Sequence, residues 1–243
     1  MRLVIFDCDG TLVDSQHEIV ASMQQAFAFL GLTAPARTRM LDVVGLSLPE
    51  AFAALLPDRD AAACDALIAR YRAQYRQLAA SAAAGATAAP PAVQSPLFPG
   101  VAEVIATLGR RDNVVLGIAT GKSRRGVARL LERQGWDGRF FTIQTADDHP
   151  SKPHPSMILR AMAEAGAEPS ATVMVGDTSY DMEMARSAGV GALGVTWGYH
   201  PVERLRLAGA HRLVATCDGL AAAIDAQLAA QAISAPVERA HEQ

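Results

Sequence analysis

The sequence has few cysteines, no long apolar run and little net charge. Its three cysteines, Cys8, Cys64 and Cys217, are odd in number and scattered, with no CxxC pair. That excludes a disulfide framework and reads as reduced thiols in a cytoplasmic setting. No apolar run approaches the roughly 20 residues needed to span a bilayer. The chain enters an apolar strand at once, which reads as leaving no room for a signal peptide. A formal net charge of −3 gives no electrostatic footprint for nucleic acid or an anionic membrane. What remains is a chain of 243 residues, half of them hydrophobic. That is enough for a sizeable core in one large domain or two modest ones.

Met1 to Phe6 reads as a short buried strand, and it ends on Asp7-Cys8-Asp9-Gly10-Thr11. Side chains alternate along an extended chain, so Asp7 and Asp9 share one side and Cys8 takes the other. Gly10 lets the backbone turn. Two carboxylates about 4 Å apart repel by roughly 4 kcal/mol even at an effective dielectric near 20. Such a pair calls for a cation, a shared proton or a chemical task.

Residues 16–80 contain no convincing strand and read as a helical unit. Ser15 with Glu18 fits a capping box, opening a helix from Gln16 to Leu30 that Gly31 stops. Further helices are expected over Ala36–Val43, Pro49–Leu56 and Asp58–Ala80, with Gly45-Leu46-Ser47 as a break. Residues 81–96 are almost all Ala, Gly, Ser, Thr and Pro and read as a mobile linker.

From residue 97 the pattern alternates. Strands are expected at Val114–Thr120, Phe140–Thr145, Thr172–Val175, Ala192–Thr196 and Leu213–Ala215. Helices are expected at Val101–Leu108, Arg124–Gln134, Pro155–Ala165, Tyr180–Ala188, from Pro201 and from Asp218. Alternation of this kind implies an α/β fold, a doubly wound, Rossmann-like parallel sheet with helices on both faces. The core is read as 1–15 with 97–232, the inserted helical domain as 16–80, and 233–243 as a loose tail.

In this architecture ligands bind at the carboxyl ends of strands. The second strand ends in Thr120-Gly121-Lys122-Ser123 and runs into a helix, offering a hydroxyl and backbone N–H groups to an anion. Ser123 alone is equally a plain helix cap. A nucleotide P-loop is excluded, because its first glycine would fall at position 116, which is leucine. The third strand is followed by Lys152 between prolines and near His154. The fourth ends in Gly176-Asp177-Thr178-Ser179-Tyr180-Asp181. Asp181 can complement the dipole of the next helix, whereas Asp177 has no such structural reason to be there. Four carboxylates and one lysine thus converge on one sheet edge. Hard oxygen ligands suit Mg²⁺ completed by water and a phosphate oxygen. An aspartate there can attack phosphorus, and a second can move protons.

The four segments Asp7-Cys8-Asp9-Gly10-Thr11, Thr120-Gly121-Lys122, Lys152-Pro153 and Gly176-Asp177-Thr178-Ser179-Tyr180-Asp181 closely resemble the motifs of the haloacid dehalogenase superfamily. The branch most alike is that of phosphatases with a helical cap after the first motif, phosphoglycolate phosphatases in particular. The resemblance implies Asp7 as nucleophile and Asp9 as general acid/base. It places Asp7, the Asp9 carbonyl and Asp177 on Mg²⁺, with Asp181 supporting the metal. Thr11, Thr120, Gly121 and Lys152 would hold the phosphoryl group, Thr120 and Lys152 also serving catalysis. It implies a phosphatase for a small phosphorylated metabolite, 2-phosphoglycolate foremost, in a monomer or homodimer. The dehalogenases of the superfamily lack an acid at the place of Asp9. Two other readings remain open at this point: a phosphosugar mutase of the same fold, and a non-catalytic phosphate-binding protein. In the segment 81–96 the chain departs from the usual cap-to-core return, which looks shorter.

Overall fold

A computed structural model of the chain describes residues 1–58, 60–83 and 95–234. Strand β1 (Arg2–Phe6) lies at the centre of a six-stranded sheet. It pairs on one side with β2 (Val114–Thr120) and on the other with β4 (Thr172–Gly176). With β3 (Thr142–Thr145), β5 (Gly191–Val195) and β6 (Arg212–Val214) the order is β3-β2-β1-β4-β5-β6, all parallel. The direction of winding reverses at β1, which puts the loops after β1, β2 and β4 around one crevice.

Alternation along β1 sorts the core into two layers. Val4 and Phe6 face a cluster completed by α5 (Val101–Leu108), α6 (Arg124–Gln134) and α10 (Leu220–Ser234). Leu3 and Ile5 face α7 (Ser156–Ala165), α8 (Ser179–Ser187) and α9 (Val202–Leu207). The buried stretch of β1, Leu3–Phe6, is covered on both faces and is apolar throughout, and it ends at Asp7.

Helices α1 (Gln16–Phe29), α2 (Arg37–Leu41), α3 (Leu48–Leu55) and α4 (Ala61–Ala83) pack into a cluster of their own. Phe27, Phe52 and Tyr71 pack at its centre in tilted and edge-to-face contacts, with ring centroids 6.2 and 5.9 Å apart. This unit rests on the carboxyl edge of the sheet. Ser47 N donates to Ser151 Oγ at 2.8 Å and the Tyr180 hydroxyl donates to the Asp42 carbonyl at 3.0 Å.

Three expectations are corrected. The capping box at α1 does not form: Ser15 makes no side-chain bond to the helix, and its hydroxyl donates instead to Asp9 Oδ1 at 2.6 Å. Ser15 has φ −97° and ψ 5°, outside the extended geometry of a capping residue, so its oxygen does not face the helix amides. Helix α4 runs three residues beyond Ala80, as the helix propensity of alanine favours, so the linker's first residues are helical. Strand β3 begins at Thr142 because Phe140 is turned onto Trp136, with ring centroids 5.9 Å apart. The rest of the expected linker, 84–94, and the tail beyond Ser234 lie outside the described residues. Among the described residues no helix is long and apolar enough to cross a membrane.

Candidate active site

Asp7 follows the last residue of β1 and is 1% exposed. Lys152, from the loop between β3 and α7, reaches it from beneath. Its ammonium stands 2.6 Å from Asp181 Oδ1 and 3.0 Å from Asp7 Oδ1. The aligned hydrogen bond goes to Asp181. Both Asp7 oxygens are therefore buried without a hydrogen-bond partner. Burial lifts the Asp7 carboxyl to about 6, against the pull of Lys152 and with a further push from Asp181. Burial alone would discharge Lys152, but Asp181 and Asp7 outweigh it and hold the ammonium charged.

Asp177 closes the other side. Its Oδ1 accepts from the Thr11 hydroxyl at 2.8 Å and its Oδ2 from the Tyr199 amide at 2.8 Å. Gly10 permits this approach: its φ is +89°, and a Cβ there would lie 2.2 Å from Asp177 Oδ2. Asp181 Oδ2 accepts from the amide and hydroxyl of Thr178 at 3.1 and 2.7 Å, a capping box that starts α8. Asp7, Asp177 and Asp181 bring their oxygens within 4.8 Å of one another. Burial first, then Asp181 and Asp7, push the Asp177 carboxyl well above the ordinary range.

Three buried carboxylates against the one ammonium of Lys152 leave two negative charges when all are ionised. With neither Asp7 oxygen in a hydrogen bond and only Oδ1 in an ion pair, this donor set fits a hard divalent cation.

Asp9 stands apart from that cluster. Its carboxylate accepts from Lys122 Nζ at 2.7 and 2.9 Å as well as from Ser15. Lys122 also donates to the Tyr75 hydroxyl of α4 at 3.1 Å. Asp9 and Tyr75 hold the Lys122 pKa well above its usual value although burial opposes them.

Asp7, Asp9, Thr120 and Gly121 line a cleft of about 400 Å³ between the sheet edge and the helical unit. Thr11, Lys152, Asp177 and Asp181 form the buried layer around Asp7; the Thr11 hydroxyl, expected on a phosphate, is directed to Asp177. Ser123 caps α6 by accepting from Gly126 N at 3.3 Å. The bonds of Ser15 to Asp9 and of Tyr75 to Lys122 are roles to which no sequence pattern pointed, whereas Tyr199 falls in Trp197-Gly198-Tyr199-His200, a segment the sequence reads either as cleft lining or as a plain loop. Lys122 had a signal in its place within Thr120-Gly121-Lys122, but its partners lie 47 and 113 positions away.

A parallel sheet with carboxylates and a lysine at its carboxyl edge, under a helical insert, defines an α/β enzyme core. A family model described as haloacid dehalogenase-like hydrolase matches residues 4–195. The chain is 37% identical over 230 residues to a protein of Dickeya dadantii named "Probable phosphatase IndB", covering 93% of this chain and 94% of that one. It is 31% identical over 210 residues to the phosphoglycolate phosphatase of Agrobacterium fabrum, covering 84% of each. A hydrolase from Pseudomonas syringae superposes with a TM-score of 0.79 at 26% identity, over 93% of this chain and 98% of the other. The protein belongs to the haloacid dehalogenase-like hydrolase family.

Proposed function

We propose that the protein is a Mg²⁺-dependent phosphatase of small phosphomonoesters that works through an aspartyl-phosphate on Asp7. The observation that carries this reading is the state of Asp7: buried, without a hydrogen bond on either oxygen, and opening on the cleft beside a buried lysine. A carboxylate so placed keeps its lone pairs for an electrophile.

Asp7 and Asp177 with the Asp9 carbonyl would hold Mg²⁺, and Asp181 would support them. Bound there, the metal neutralises charge on the phosphoryl oxygens and on the two carboxylates. Thr120 and the backbone at Gly121, at the start of α6, orient the phosphoryl group, and Lys152 offsets its charge. Asp7 Oδ bonds to phosphorus while the bond to the ester oxygen breaks, and that oxygen takes the proton of Asp9. Water then attacks phosphorus and gives its proton back to Asp9. The bond to Asp7 breaks, releasing phosphate and restoring the carboxylate. In the arrangement described here Asp9 is bonded by Lys122 and Ser15, so it acts as an acid only once Lys122 frees an oxygen.

The helical unit acts as a cap that excludes water and reads the leaving group. The phosphoglycolate phosphatase of Agrobacterium fabrum makes 2-phosphoglycolate the first substrate to assay. The test is Asp7→Asn. It removes one lone-pair charge without changing shape, and phosphate release from p-nitrophenyl phosphate should fall by about 10³-fold or more. Activity that survives in this variant, or in wild type freed of divalent metal by chelation, overturns the reading.

A further inference from the structure

The cleft has more positive charge than its carboxylates require. Arg72 and Arg76 of α4 and Arg125 and Arg129 of α6 line it, each pair four residues apart on its helix. Among the described residues none of the four side chains has a hydrogen bond, ion pair or ring contact. Other arginines of the same two helices are engaged. Arg70 lies over the Phe29 ring, Arg124 pairs with Asp148, and Arg133 donates to the Ser95 carbonyl.

The acids on the cleft wall do not answer this charge. Asp7 has Lys152 and Asp9 has Lys122. Asp147, the remaining one, already accepts from the Arg124 amide at 2.8 Å. Four guanidinium groups against one carboxylate is a local excess on a chain whose formal net charge is −3. Like charges four residues apart on a helix repel, so folding alone gives no reason to gather them. The rest of the wall includes Ile19, Met23, Val43 and Val44, apolar groups that strengthen charge interactions beside them. The guanidinium fork is the group that binds carboxylate or phosphate with two parallel bonds.

We propose that these four arginines form a second oxyanion site, so that the substrate is a phosphomonoester whose leaving group carries another phosphate or a carboxylate. This rests on the phosphatase reading and adds the substrate class to it. A volume of about 400 Å³ lies in the range of pockets that take ligands of drug size, roughly 300–1,000 Å³. A two-carbon acid would leave much of it filled by water, so the favoured leaving group is longer.

The test measures binding with turnover removed. Calorimetry on the Asp7→Asn protein with Mg²⁺ compares three ligands of one chain length: butane-1,4-diol bisphosphate, 4-phosphooxybutanoate and 4-hydroxybutyl phosphate. An anionic end should tighten binding by about tenfold or more over the hydroxyl end, and adding Arg125→Gln with Arg129→Gln should shrink that advantage to about threefold or less. The same loss is expected from Arg72→Gln with Arg76→Gln. Whichever anionic ligand binds more tightly identifies the second group. Equal affinity for all three ligands, or an advantage that survives both double variants, overturns the proposal. Wild type that binds in the expected order yet frees no phosphate from any of the three overturns the phosphatase reading while the oxyanion site stands.

Discussion

Lys152 is fully buried, between Asp7 and Asp181. An ammonium so placed is stable only through its partners, and its partners only through it. Removing one member of such a group leaves an uncompensated charge, at a cost of about 3–5 kcal/mol. Lys152→Met in the metal-free protein should lose stability of that order in urea unfolding; a loss below about 1 kcal/mol would show the carboxylates are neutral there. Ser15 teaches the converse. The capping pattern with Glu18 was legible in the sequence, but Asp9 lies near the hydroxyl in space and takes it. Local patterns rank only local competitors. A charged acceptor supplied by the turn before the helix changes the ranking.

At the scale of elements, the contact between cap and core runs through backbone at one point. The loop Gly45-Leu46-Ser47 passes over Gly121, where a Cβ would lie 2.7 Å from the Gly45 and Leu46 carbonyl oxygens. Gly121→Ala should therefore push the helical unit away from the sheet edge while all three hydrophobic clusters stay intact. The expected outcome is a KM raised by about tenfold with a change in melting temperature of only about 2 °C. Steady-state kinetics and calorimetric melting check the two halves. Most elements were legible in the residue pattern: β2 and α6 have the bounds the sequence predicts, because apolar periodicity, Ser123 and Gly135 mark them. The end of α4 was not, because alanine serves both helix and low-complexity linker. Nor was the approach of Gly45 to Gly121, which depends on how two separately packed units meet.

For the whole molecule, the central quantity is the charge buried at the sheet edge. Asp7 titrates at about 6 in the folded, metal-free protein against an ordinary 3.8. A raised carboxyl favours the protonated folded state, so its contribution to stability is present at low pH and is lost as pH rises through about 6. A divalent cation bound at Asp7, as proposed, would compete with that proton. Adding Mg²⁺ should raise the melting temperature clearly at about pH 7.5 and much less at about pH 5. A shift of equal size at both values would mean the cation does not bind at Asp7.

The order of strands and helices, the two apolar layers on the sheet and the gathering of Asp7, Asp9, Lys152, Asp177 and Asp181 at one edge follow from the sequence by itself. They rest on the periodicity of hydrophobic residues and on what a parallel sheet does with the ends of its strands. Tertiary structure alone decided the partners: that Asp7 has an ion pair with Lys152 but no hydrogen bond, that Asp9 is bonded by Lys122 and Ser15, that Thr11 serves Asp177, and that four arginines from two distant helices face one cleft. Hydrogen bonds and charges act over a few ångströms, and those distances exist only once residues far apart in the chain are packed together.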